Sequence, residues 1–130
     1  MLRPFNPDNV VNPASRYSQG VEVSANARWL HVSGQIGVAA DGSVAAGLAA
    51  QFEQAFVNVA NVLAGAGMQK TDLVKMTVFV AVAGNETLGV YRRIRDPWLE
   101  GHAPAMTYLV VSGLASADYL VEIEAVAAKS

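Results

Sequence analysis

The sequence contains no cysteine. That excludes disulfides, thiolate catalysis and cysteine-based zinc sites. Histidine is limited to His31 and His102. Neither sits in an H-E-x-x-H or comparable ligand spacing, so no metal is expected. No apolar run approaches the roughly 18 residues of a membrane span. The segment from Met1 to Val10 is polar, with Pro4 and Pro7, and does not read as a secretory leader. A cytosolic location is the resulting expectation. The G-x-S-x-G elbow, the P-loop and the G-x-G-x-x-G turn are all missing. Ala64-Gly65-Ala66-Gly67 follows a helical pattern rather than a strand, so it reads as a helix stop and not as a phosphate loop.

Charge is also scarce. Asp, Glu, Lys and Arg make up 15% of the 130 residues and apolar residues 52%, whereas charged residues usually make up about 25%. The net charge of −2 creates no field for nucleic acid or an anionic membrane. A single domain of this length has much surface to cover with polar groups. The shortage points to surface covered by further copies of the same chain; the alternative is a monomer with an Ala-rich surface, since Ala inflates the apolar count.

What is present reads as one α+β domain over residues 1–130, beginning with an irregular arm over residues 1–15. Strands are expected at Ser18–Val23 and Trp29–Ile36, separated by turn-type residues at Ser24-Ala25-Asn26-Ala27. From Val44 to Gly67, Leu48, Phe52, Phe56, Val59 and Leu63 recur at spacings of three and four, the mark of a helix with one apolar stripe. Gln51, Glu53, Gln54 and Asn58 lie largely off it. Leu73–Val82 alternates as a strand. A second helix is expected from Glu86 to Leu99, capped by Asn85, with Leu88, Tyr91 and Ile94 inward and a kink or end at Pro97. Ala105–Val111 and Tyr119–Ala127 complete the order ββ-α-β-α-ββ. The expected architecture is a single mixed sheet with both helices on one face.

Two groups of polar residues stand out. Arg92, Arg93 and Arg95 form the one basic cluster, read as a solvated group near a helix end. A phosphate or RNA contact is the alternative, and a few arginines make a weak nucleic-acid footprint. Glu122 and Glu124 sit two apart on an apolar strand, on one face and roughly 7 Å from each other. Carboxylates in such a setting are candidates for proton transfer. They are equally candidates for ion pairs with Arg16 or Arg28 of a neighbouring copy.

Four runs, in order and spaced over Asn12 to Ala127, resemble the RidA/YjgF family: Tyr17-Ser18-Gln19-Gly20, Val32-Ser33-Gly34-Gln35-Ile36, Leu73 to Phe79, and Val121 to Ala127. The resemblance implies a chorismate-mutase-like homotrimer with small-metabolite pockets between subunits. It also implies hydrolysis of reactive imines and enamines to a keto acid and ammonia, without metal or organic cofactor. Carried over by motif, Glu122 handles water, and Tyr17, Ser33 and Gly34 line the site. The family's carboxylate-binding Arg falls in a run resembling Arg-Pro-Ala-Arg-Ser. Here that run is Ala103-Pro104-Ala105-Met106-Thr107, so Met106 stands in the Arg position, followed by Thr107 and Tyr108. An Arg fork grips a carboxylate bidentately and Met has no donor. Met106 and Tyr108 therefore predict a more apolar pocket, and Arg16 is the candidate replacement cation. Three functions follow: a hydrolase of the imine-deaminase type, a non-catalytic small-molecule binder on the same trimer, and an endoribonuclease, which the lack of a basic stripe disfavours.

Overall fold

The computed structural model describes residues 1–130. Six strands and two helices follow one another as β1 (Leu2–Phe5), β2 (Gly20–Val23), β3 (Arg28–Ile36), α1 (Leu48–Gly65), β4 (Leu73–Val80), α2 (Asn85–Leu99), β5 (Ala105–Val110) and β6 (Val121–Lys129). The main sheet has the order β3-β6-β4-β5. β4 and β5 are parallel, joined by α2 as a crossover. β6 runs antiparallel to both β3 and β4 and lies between them.

Three expectations need correction. The N-terminal arm is not irregular throughout: Leu2–Phe5 forms β1 and pairs antiparallel with β2. β2 consequently belongs to a separate two-stranded ladder and not to one continuous sheet. Phe5 lies over Gly20, where a Cβ would meet the ring at 2.7 Å, so the ladder depends on that glycine. Third, Asn85 is the first residue of α2, and Gly84, with φ 119°, occupies the cap position without a side-chain hydrogen bond. Pro97 lies in the last turn, and the helix ends two residues later. Both helices are otherwise where the periodicity places them.

The core lies between the helices and one face of the main sheet. Phe52, Phe56, Val59 and Leu63 of α1 pack with Met76, Val78 and Val80 of β4 and Val121, Ile123, Ala125 and Ala127 of β6. Strand alternation sends Lys75, Thr77 and Phe79 of β4, with Glu122 and Glu124 of β6, to the other face. No helix covers that face within the chain. Leu109, also on it, is 42% exposed.

Gln51 departs from its sequence reading. It is buried, and its amide donates to the carbonyls of Ala45 and Asp118 while its Oε1 accepts from the Leu120 amide. Asn58 similarly donates to the carbonyls of Ile36 and Val38. These side chains tie α1 to the end of β3 and to the approach to β6. They satisfy backbone groups that the ladders leave unpaired.

Candidate functional site

The residues singled out from the sequence fall into two clusters. The first lies on the uncovered sheet face. β3 is irregular between Val32 and Gln35, and Ser33 and Gly34 sit within that irregularity. Glu122 of β6 folds its side chain over Gly34, where a Cβ would come within 2.7 Å of the Glu122 carboxyl carbon. Only glycine leaves the carboxylate that position. Within the chain Glu122 has no ion-pair or hydrogen-bond partner, its own Arg16 and Arg28 included. Arg28 instead donates to the Ala66 carbonyl at 3.0 Å.

The second cluster lies beyond β5, on the helix side. Met106 and Tyr108 pair with Met76 and Val78 of β4, so their side chains share the face that the helices cover. Tyr17 joins them because Ser18 is anchored to β5: its amide donates to the Pro104 carbonyl, its hydroxyl donates to the Ala103 carbonyl, and it bridges to Ala105. Together with Ala14, Ser15, Leu88, Tyr91, Arg92 and Arg95, these side chains line a cavity of about 210 Å³. Thr107 points the opposite way and bonds to the Lys75 ammonium at 2.6 Å. It is thus separated from the two residues that flank it in sequence. Arg16 is exposed and does not line the cavity.

The cation of this cavity comes from α2. Arg95 is 2% exposed and stacks its guanidinium 4.9 Å from the centre of the Tyr91 ring. Its Nε donates to Asp96 at 2.9 Å, and its Nη1 points at the Tyr91 hydroxyl and the Met106 sulfur. The basic cluster is therefore not a solvated helix end. Arg95 faces in, Arg92 is half-buried beside it, and only Arg93 is exposed. A signal for this was present in the sequence. Thr87, Tyr91, Arg95 and Leu99, the buried residues of α2, are each four apart and form one helical line.

Burial pushes the Tyr91 and Tyr108 hydroxyls above the ordinary phenol range, with Arg95 and Arg92 respectively pulling the other way. Both phenols stay protonated at neutral pH and can donate. The Tyr108 hydroxyl is buried with no partner. Removing an unsatisfied polar group removes its desolvation penalty, about 1–3 kcal/mol. Tyr108→Phe is therefore expected to raise the Tm of the ligand-free protein by a few degrees in a thermal melt. An unchanged or lower Tm would show that some group satisfies the hydroxyl.

The family model for endoribonuclease L-PSP matches residues 8–129. The chain belongs to this family, also known as RidA/YjgF. It is 34% identical over 113 residues to the rat 2-iminobutanoate/2-iminopropanoate deaminase, covering 85% of this chain and 78% of that protein. A RutC family protein from Aquifex aeolicus is 38% identical over 69 residues, about half of each chain. Among solved structures, YyfB from Yersinia pestis, a Rid-family protein of unknown function, superposes with a TM-score of 0.89 at 31% identity over 97% of both chains. Escherichia coli TdcF, solved with bound serine, superposes with a TM-score of 0.72 at 28% identity, covering 93% of this chain and 91% of that one. The RidA-type α+β fold expected from the four sequence runs is thus the fold of this RidA/YjgF chain.

Proposed function

We propose that this chain hydrolyses a small reactive imine or enamine to the carbonyl compound and ammonia, in a pocket completed by a second copy of itself. The observation that carries this reading is the free Glu122 carboxylate seated over Gly34. It is unpartnered, on a sheet face that nothing in the chain covers. Glu122 accepts a proton from water as the oxygen adds to the C=N carbon, and passes that proton to the nitrogen to give the carbinolamine. Glu122 then takes the proton of the carbinolamine hydroxyl and gives it to the nitrogen; the C–N bond breaks, C=O forms and ammonia leaves. One carboxylate serves both relays because each ends with it unprotonated again. The name of the rat relative supports the reaction class.

The two clusters require the second copy. β3 and β5 are opposite edges of a four-stranded sheet, about 14 Å apart at the usual strand spacing. Glu122, Ser33 and Gly34 lie toward one edge on the open face, and Tyr17, Met106 and Tyr108 beyond the other on the helix side. A closed ring of copies that sets the β3 side of one against the β5 side of the next unites them. A homotrimer is the proposed form, and light scattering in solution tests it. A monomeric mass would remove the composite site. Ser33 and Gly34 then present backbone groups to the ligand, and Tyr17 orients it.

Catalysis is tested by following the decay of enzymatically generated 2-iminobutanoate and 2-iminopropanoate. The protein is expected to accelerate decay in proportion to its concentration. Decay no faster than in buffer, with both substrates, would sink the hydrolase reading and leave the binding-protein alternative.

A further inference from the structure

Three buried side-chain polar atoms in the chain lack a hydrogen-bond partner: Arg92 Nε, Arg95 Nη2 and the Tyr108 hydroxyl. All three belong to residues that line the same cavity. Buried donors are normally paired, so orphans gathered in one place mark a missing acceptor. Arg95 Nε already donates to Asp96 at 2.9 Å, but the acceptors facing its other two nitrogens are weak or misaligned. Arg95 Nη2 lies 2.8 Å from Asp96 Oδ1 without hydrogen-bonding alignment, and its Nη1 reaches only the Tyr91 hydroxyl at 3.3 Å and the Met106 thioether at 4.0 Å. A thioether is a poor acceptor for a guanidinium.

The charge balance points the same way. Two guanidinium groups and no carboxylate line the cavity. Asp96, 42% exposed, is the one acid against Arg95. One positive charge is left over.

We propose that Arg95 and Arg92, with the Tyr108 hydroxyl, form an anion subsite for the carboxylate of a small organic acid, doing from α2 what Met106 cannot do from β5. The cavity is smaller than the roughly 300–1,000 Å³ typical of drug-sized ligands, so its occupant is a short-chain acid. Leu88, Met106 and Ala14 form the apolar wall against which that chain lies. The choice of acid rests on the imine-hydrolase reading, while the subsite itself rests on the three orphan donors. This reverses the expectation drawn from Met106 alone: the pocket keeps its taste for a carboxylate.

Isothermal titration with 2-oxobutanoate, the stable keto acid that the hydrolysis would yield, tests the subsite. Uncharged 2-oxobutanamide is the control. The full-length protein is expected to bind 2-oxobutanoate once per chain, more weakly as salt rises, and to ignore the amide. Arg92→Gln and Arg95→Met are each expected to weaken binding about 10- to 150-fold, the loss of a charge-assisted hydrogen bond. The double variant Arg95→Met/Met106→Arg is expected to recover it to within about tenfold, because the cation returns from the strand. Circular dichroism checks that each variant folds; Arg92→Gln, only half-buried, keeps the test open if Arg95→Met does not. Equal affinity in wild type and Arg92→Gln, or no preference for the acid over the amide, overturns the proposal. Imine turnover separates the two ideas. Turnover that needs Glu122 but ignores Arg92 and Arg95 removes the subsite and spares the hydrolase. Arg-dependent acid binding without Glu122-dependent turnover does the reverse.

Discussion

Glu122→Gln is expected to lower imine turnover by about 10²- to 10⁴-fold, the usual contribution of a positioned acid-base group. The amide is nearly isosteric with the carboxylate but cannot take a proton from water. Stability is expected to stay within about 0.5 kcal/mol of wild type, as for substitutions that break no interaction, because Glu122 has no partner in the chain to lose. A second variant reaches the same carboxylate without changing its chemistry. In Gly34→Ala, the new Cβ would stand 2.7 Å from the carboxyl carbon of Glu122 and 2.9 Å from its Cγ. The obstacle is the end of a flexible side chain, so the fold adjusts cheaply and the carboxylate is the group displaced. A misplacement of about 1 Å costs on the order of 10²-fold in rate. The check is initial rates of keto acid formation beside thermal melts. Gly34→Ala with full activity would mean that Glu122 does not act from the position it holds over Gly34. Full activity in Glu122→Gln would remove it from catalysis.

The largest loss of stability is expected at Gly37. A Cβ there would lie 2.5 Å from the Gln51 Cβ and 2.6 Å from the Gln51 Cα. Here the obstacle is the helix backbone, which cannot swing aside. Relief requires α1 to lift from the sheet, which loosens the packing of Phe52 and Ala55 and disturbs the three hydrogen bonds of Gln51. Overpacking costs about 1–3 kcal/mol, and leaving buried polar groups unpaired adds about 1–3 kcal/mol. Gly37→Ala is therefore expected to lower Tm by about 10 °C or more in a domain of this size. Gln51→Leu separates the two contributions, because it removes the hydrogen bonds and leaves Gly37 room. It is expected to lose about half as much. A Tm for Gly37→Ala within two or three degrees of wild type would show that α1 is not seated as described.

The contrast between these glycines shows how much of the site could be read in advance. Ser33-Gly34 stands out as one of the family runs, but its physical role, leaving space for Glu122, depends on β3 lying beside β6. Gly37 falls just outside any motif, and Gln51 reads as a polar residue off the apolar stripe. Both matter because α1 crosses β3 at that point. Arg95 is the clearest miss. Arginine is usually exposed, and a cluster of three near a helix end is the ordinary picture of solvated charge. The line Thr87, Tyr91, Arg95 and Leu99 places it inward, and burial is tolerated because Asp96, Tyr91 and the Tyr91 ring meet part of its need.

By itself the sequence determined the two helices, most of the strands, the apolar faces of α1, β4 and β6 and the family to which the chain belongs. These follow from periods of 3.6 and 2 and from short runs of neighbouring residues, all of which are local. The tertiary structure alone decided which faces meet. It placed Glu122 and Gly34 near one sheet edge and Tyr17, Met106 and Tyr108 beyond the other. It also paired β1 with β2 and gathered Tyr17, Arg92 and Arg95 about one cavity with Met106 and Tyr108. The reason is physical: periodicity states which side of an element is apolar, whereas sheet order and helix crossing arise from contacts between residues far apart in the chain.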